Sequence, residues 1–285
     1  VTISLNGDGQ VSGARMHVNE FRGFERFCVG RMFNEMPLIT QRICGICPIS
    51  HHLASSKACD AIVGLELPRP AKLLRELMHM GQIIQSHALH LFHLASPDLL
   101  LGFDADPAVR NVVGVIQADP ALALKGVGMR KYGQEVIRKI GGKRIHPYDG
   151  ASASSVNKGL STADREELRA GIDGIVAGMR EAIAVVKGYA EANAEQMASF
   201  GSFPSGYAGL VNPEGMLELY DGRIRMVDSQ LKPWMPDYDP AEYLTYIAEK
   251  VELWSYLKFP YYRKLGYPEG VYRVGPLGRL NMCSG

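Results

Sequence analysis

The chain has 285 residues, of which 46% are hydrophobic and 21% charged, and a formal net charge of +1. That composition belongs to a globular protein with a sizeable core and not to a disordered chain. The near-zero charge supplies no long-range field for nucleic acid or an anionic membrane, and no run of roughly 20 uncharged apolar residues could cross a bilayer.

The first segment reads as β. Val1–Leu5 alternates, Asn6-Gly7-Asp8-Gly9 is turn chemistry, and Val11–Val18 can return as the partner strand of a hairpin. Residues 22–34 and Met36–Thr40 then lead to the cysteines. Beyond them the pattern is helical. Pro70 suits a first helical position, and Leu73, Leu77, Met80, Ile84, Ala88, Leu91 and Ala95 step by three or four residues. Ser96-Pro97 is expected to end this helix, giving a rod of about 39 Å. Asp119-Pro120 opens a second helix that closes at Gly141-Gly142. Ser161, with Asp164 as capping partner, opens a third. Its stripe is Leu168, Ile172, Ile175, Met179, Ile183, Val186, Ala190 and Met197. Leu217–Val227 reads as a hairpin turning at Asp221-Gly222. A fourth helix is expected from Asp239-Pro240, with Leu244, Ile247, Val251 and Trp254 on one face. These elements predict a mainly α fold with small β additions, a long-helix bundle over residues 1–285 as one domain. Val1 opens in mid-strand and Asn281–Gly285 closes with no terminating element, so the chain reads as incomplete at both ends.

No basic start followed by an apolar run reads as a secretory signal. Five cysteines in this length do not make a disulfide scaffold. Cys28, Cys59 and Cys283 are isolated, and Cys59 is expected on the buried side of its helix. Cys44 and Cys47 form the one close pair, which suits metal or redox work in a reducing compartment. Two thiolates separated by two residues can face one metal ion across a tight turn, and Gly45 relieves crowding within it. Such soft donors favour zinc, iron or nickel over magnesium or calcium. His51, four residues beyond Cys47, reaches the same place if a helix begins there. By itself the pair leaves metal use, redox use and incidental spacing open. A thioredoxin-like role would need a βαβ setting, and a structural zinc site would need two more ligands at short spacing.

The surrounding residues are more specific. Arg42-Ile43-Cys44-Gly45-Ile46-Cys47-Pro48-Ile49-Ser50-His51, preceded by Gln41 and followed by His52, resembles the N-terminal signature of [NiFe]-hydrogenase large subunits, closest to the soluble NAD-reducing kind. Further segments resemble the same family in the same order. They are Phe21-Arg22-Gly23-Phe24-Glu25, the histidine-rich run His87–His93 followed by Asp98, and Gly141-Gly142-Lys143-Arg144-Ile145-His146-Pro147. Trp254–Pro260 and Tyr272–Leu277 are later landmarks of the same kind.

The resemblance implies a catalytic subunit that oxidises dihydrogen reversibly to protons and electrons. It implies a nickel–iron centre whose iron carries carbon monoxide and cyanide. Cys44 would bind nickel terminally, Cys47 would bridge nickel and iron, His51 would hydrogen-bond near the bridging sulfur or the iron ligands, and Glu25 would bind magnesium. Neither NAD nor flavin is expected in this chain, since no Gly-x-Gly-x-x-Gly follows a strand. The implied partners are a small hydrogenase subunit carrying iron–sulfur clusters and a diaphorase module with flavin and iron–sulfur clusters. The implied compartment is the cytoplasm, with no nucleic acid and no membrane insertion. The family's second cysteine motif, its Ala-Pro-Arg-Gly segment and its Arg-Ile-Glu-Gly-His segment are not in this sequence. With two of four thiolates, the chain alone is expected not to hold the complete centre.

Structural readings stand beside these. Glu25 could simply pair with Arg22 or Arg26, and His51 could be a solvated helix-start residue. Residues 87, 90 and 93 fan over about 120° of helix surface, which suits packing and hydrogen bonding better than metal binding. His146 reads as structural or partner-facing, and Lys143 and Arg144 as a solvated pair. The competing functions are an NADP- or deazaflavin-coupled soluble hydrogenase, a non-catalytic helical subunit like that of respiratory complex I, and a small zinc protein.

Overall fold

The computed structural model describes residues 1–20, 23–64, 66–148 and 159–283. Phe21 and Arg22 of the first hydrogenase-like segment, and with them the Glu25–Arg22 pairing, lie outside the described residues, as do Ser284 and Gly285. The fold is mainly helical with small sheets, as expected. It divides into two compact units: residues 24–200, and residues 1–23 together with 201–285.

The first unit is helical: α1 (Phe24–Cys28), α2 (Met36–Thr40), α3 (Pro48–Val63), α4 (Arg69–Leu89), α5 (Ser96–Leu101), α6 (Val112–Ala118), α7 (Pro120–Gly141), α8 (Thr162–Ala192) and α9 (Ala194–Ser199). Local chemistry sets most of these boundaries. The Asp119 carboxylate accepts the Leu122 N–H at 2.9 Å, Pro120 takes the first turn of α7, and Gly142 closes the helix in the left-handed region. The Ser161 hydroxyl accepts the Asp164 N–H at 3.1 Å and so opens α8. Both helices begin where the sequence placed them, and α7 also ends there.

Two expectations fail here. Ser96-Pro97 does not end the rod: a π-helical turn, His90–Ala95, joins α4 to α5, and Pro97 sits in the first turn of α5, where its missing N–H is tolerated. The buried face of α4 is also only in part the predicted stripe. Ala88 is buried and Leu91 packs on the core, but Leu73 is exposed, and Ala71, Arg75, Met78, Gln82 and Gln85 are buried. This face includes long polar side chains because those have partners inside: Arg75 pairs with Asp60 of α3, and the two glutamines reach the Ile46 carbonyl.

Helices α4 and α7 cross at backbone distance. A Cβ on Gly133 would lie 2.5 Å from the Gly81 carbonyl oxygen and 2.7 Å from the Gln85 nitrogen. Nearby, Ala88, Phe92, Met129 and Ala182 form a core with Leu91, Leu122, Ile175 and Met179 packed against it. Of the third stripe, Leu168, Ile175 and Met179 turn inward, Ile172 and Ile183 are exposed, and Met197 falls in α9 after the helix has ended.

The second unit holds the sheets. β1 (Thr2–Leu5) and β2 (Val11–Arg15) form the expected hairpin, closed by the Asn6 side chain, which accepts from the Asp8 and Gln10 N–H groups. In the larger sheet, β3 (Gly206–Val211) lies between β4 (Leu217–Glu218) and β5 (Arg223–Val227). The expected hairpin over Leu217–Val227 is overturned: β4 and β5 both run antiparallel to β3 on its opposite sides, so residues 219–222 cross the end of β3 instead of turning between paired arms. Gly222 makes this possible, since a Cβ there would lie 2.7 Å from the Val211 carbonyl oxygen.

The expected fourth helix is also overturned. Only a 3₁₀ turn (Pro240–Glu242) and a single turn, α10 (Tyr243–Tyr246), follow Asp239. β6 (Ile247–Val251) then pairs antiparallel with β7 (Lys258–Tyr262). The spacing of Leu244, Ile247 and Val251 fits a helix wheel, yet Leu244 and Val251 are exposed, so no core rewards that face. β-Branched residues facing a second extended run favour the ladder. β8 (Tyr272–Arg273) adds parallel to β3, and α11 (Gly275–Met282) packs on the sheet through Met282, beside Val211 and Val227.

Candidate metal centre

The cysteine turn is built by α3 and the 3₁₀ turn Gln41–Ile43 before it. Cys47 is the residue immediately preceding α3, and Pro48 occupies the first helical position, so the helix begins where His51 needs it. One turn later, the ligating atoms of Cys44, Cys47 and His51 all lie within 4.8 Å of one another. Among the described residues they are the one group of three or more such side chains close enough to share an ion.

The Cys44 sulfur accepts the Cys47 N–H at 3.2 Å and the Ile46 N–H at 3.4 Å. Burial acts to raise the Cys44 pKa, but hydrogen bonds from the Cys47 thiol and from these two amides outweigh it and hold Cys44 below the ordinary thiol value. Cys47 is pushed up to about 11 by burial, by its thiol donating to Cys44 and by the charge on that sulfur.

The surrounding scaffold holds the turn by its carbonyls. Gln82 and Gln85 on α4 donate their amide nitrogens to the Ile46 oxygen, at 2.9 and 2.6 Å. His146 Nε2 donates to the Cys44 carbonyl at 3.1 Å. His146 has φ +50°, in the left-handed region that non-glycine residues seldom occupy. The next residue is secured by Gln41, whose buried amide donates to the Pro147 carbonyl at 2.9 Å. Thr40 Oγ1 donates to the Met36 carbonyl at 2.9 Å and to the His51 carbonyl at 3.3 Å, linking α2 to the start of α3.

Glu25 is exposed on the first turn of α1 and lies outside the cysteine–histidine group. Cys59 is buried, as expected, with its thiol donating to the Phe33 carbonyl. His87, His90 and His93 lie on the end of α4 and the π-helical turn, and burial, then the nearby Arg130 charge, hold His93 below its usual pKa. Lys143 and Arg144 are not a merely solvated pair: Arg144 binds Glu135, and Lys143 lies over the Tyr148 ring at 5.1 Å. Sequence reasoning missed Gln82 and Gln85 and gave His146 no link to the cysteines. Only the run of polar residues at 75, 82 and 85 on one helical face carried a signal.

Comparison with known proteins gives a consistent picture. Residues 22–124 match the family described as nickel-dependent hydrogenase. The chain is 46% identical over 283 residues to a vhu-type F420-non-reducing hydrogenase protein of Methanocaldococcus jannaschii, covering 99% of this chain and 67% of that protein. It is 39% identical to the NAD-reducing hydrogenase HoxS subunit beta of Cupriavidus necator, covering 99% of this chain and 60% of that protein. A crystal structure of an NAD+-reducing [NiFe]-hydrogenase in the H2-reduced state superposes with a TM-score of 0.95 at 46% identity, over 99% of this chain and 62% of that one. The Ni-Fe-Se hydrogenase of D. vulgaris Hildenborough shares the fold, with a TM-score of 0.76 at 22% identity, over 98% of this chain and 63% of that one. The chain thus spans about two thirds of the length of these relatives.

Proposed function

We propose that this chain, which belongs to the nickel-dependent hydrogenase large-subunit family, forms part of a catalytic subunit that oxidises dihydrogen reversibly and delivers the electrons, through iron–sulfur partner subunits, to NAD. The observation that carries this reading is the convergence of Cys44, Cys47 and His51 within 4.8 Å. Two cysteine sulfurs are soft donors suited to nickel and iron, the His51 imidazole stands beside them, and the backbone amides aimed at Cys44 favour its thiolate form. The donor set therefore fits one side of a nickel–iron centre.

On this reading Cys44 would hold nickel terminally, Cys47 would hold both nickel and iron, and His51 would hydrogen-bond near the Cys47 sulfur or the iron's carbon monoxide and cyanide ligands. The centre, when bound, supplies the soft Lewis acidity and redox capacity that split dihydrogen. The chain's own residues hold the thiolates in register and orient the imidazole. Glu25 is the proposed magnesium ligand. The partners are a small iron–sulfur subunit plus a diaphorase module, and the compartment is the cytoplasm. No helix among the described residues is long and apolar enough to cross a membrane.

The test uses the intact catalytic protein purified with its partners under anaerobic conditions. Nickel content and hydrogen-dependent NAD+ reduction are measured for the parent, Cys44→Ser and Cys47→Ser. The expected result is about one nickel per parent molecule, with nickel and turnover both lost in the variants, because a thiolate ligand is not replaced by a hydroxyl. A variant that keeps both would refute the assignment. A second reading, with an acceptor other than NAD, is raised by the F420-non-reducing relative, whose 46% identity equals that of the NAD+-reducing crystal structure. Reduction of an artificial dye but not of NAD+ would select it.

A further inference from the structure

The Cys44–Cys47 turn is clamped from outside by side chains that touch no ligand. The amide plane between Ile46 and Cys47 carries the Ile46 carbonyl on one edge and the Cys47 N–H on the opposite edge, as any trans peptide does. The carbonyl accepts from both Gln82 and Gln85, while the N–H donates to the Cys44 sulfur. Fixing one edge of a rigid plane fixes the other. Both glutamines are buried, at 1% and 5% exposure, so water does not compete for the carbonyl. Gln85 has little freedom to retreat, because the Gly133 contact pins its own backbone nitrogen against α7. On the other side of the turn, His146 holds the Cys44 carbonyl.

We propose that Gln82 and Gln85 are positioning residues for the metal centre: by gripping the Ile46 carbonyl they aim the Cys47 amide at the Cys44 sulfur and set how much charge that thiolate gives to the metals. This rests on the reading of Cys44 as a nickel ligand. Two donors on one carbonyl also polarise its amide, which strengthens the N–H···S bond at the far edge. Sulfur that accepts stronger hydrogen bonds donates less charge to a bound metal. The glutamines thus act on the centre through one peptide group, without touching it.

The experiment uses the complete holoenzyme carrying Gln82→Met, Gln85→Met or both, substitutions that keep the length of the side chain and remove its donor. Hydrogen–deuterium exchange in peptides spanning residues 44–49 reports the clamp whether or not metal is bound. About tenfold faster exchange of the Cys47 amide is expected in the double variant, with intermediate values in the singles, the size that follows from losing two hydrogen bonds to one carbonyl. The infrared bands of the iron's carbon monoxide and cyanide ligands report charge at the centre, and are expected at lower wavenumber in the nickel-loaded variants. Exchange that matches the parent overturns the proposal, as does faster exchange with unmoved bands. Absence of nickel from the parent would defeat the ligand assignment instead, and the exchange rates would still decide the clamp. Should the double variant fail to fold, the two single variants give the same readings.

Discussion

Alanine at Gly133 and alanine at Gly128 lie five residues apart on α7, and their effects on stability should have opposite signs. An added methyl at Gly128 meets nothing within 4 Å among the described residues. There only helix propensity acts, and Gly→Ala in a helix interior stabilises by about 1 kcal/mol. At Gly133 the same gain applies, but the methyl carbon would lie 2.5 Å from the Gly81 oxygen, 2.7 Å from the Gln85 nitrogen and 2.8 Å from the Gln85 Cβ. Two of these three atoms are backbone, so no rotamer change relieves the contact and the helices must separate. Overpacking of this kind costs about 1–3 kcal/mol, or more where the backbone itself resists. The net expectation for Gly133→Ala is a loss of up to about 2 kcal/mol, and for Gly128→Ala a gain of about 1 kcal/mol. At this chain length each kcal/mol moves the melting temperature by about 2–4 °C. Thermal unfolding of the intact protein, followed by circular dichroism for the parent and both variants, measures the pair. Equal stabilisation by the two substitutions would show that α4 and α7 do not cross at backbone distance, and would also remove the support proposed for Gln85.

Asp60→Asn removes the carboxylate that pairs with the fully buried Arg75. Removing one member of a buried pair costs about 3–5 kcal/mol, and the midpoint of urea unfolding should fall accordingly. Glu135 is partly buried, which acts to raise its pKa, but hydrogen bonds from Arg138 and Arg144 and their charges outweigh that and hold the carboxyl below its ordinary value. Its folded pKa is thus depressed. The stabilisation is complete above the unfolded value of about 4.3 and is lost as pH falls through the folded value. Unfolding curves of the parent and Glu135→Gln should therefore differ at neutral pH and converge in acid. A gap that does not shrink as the pH falls below about 4.3 would contradict the assigned ion pair.

Features governed by neighbours in the chain were legible in the sequence. Asp119, Pro120 and Gly142 bracket α7 by local hydrogen bonding and backbone preference, and the same holds for Ser161 at α8 and for the Asn6 turn. Cys44, Cys47 and His51 lie within eight residues, so a turn followed by a helix start suffices to bring them together. What depends on distant residues was not legible. β6 reads equally well as one face of a helix until its partner β7 is known, and the arms of residues 217–227 look like a hairpin until β3 lies between them. The clamp on the cysteine turn comes from 36 and 39 residues away on α4 and from 102 residues away at His146. Reading α4 by its apolar spacing passed over the buried glutamines, because long polar side chains are normally exposed. They are buried here because carbonyls within the fold require donors.

The π-helical turn His90–Ala95 has a bearing on how this rod tolerates insertion and deletion. A π turn holds one more residue per hydrogen-bonded loop than an α turn, so the rod is phased as if a single amino acid had been spliced into an otherwise regular helix. Excising one residue from this stretch would regularise the ladder and rotate everything after it by about 100° about the axis. Ser96 and Pro97, now buried, would swing away from their neighbours. Chains of this architecture that lack the extra residue would therefore need a rearranged apolar seam after the rod, and alignments through the stretch should place a one-position gap there before tolerating a mismatch in the seam.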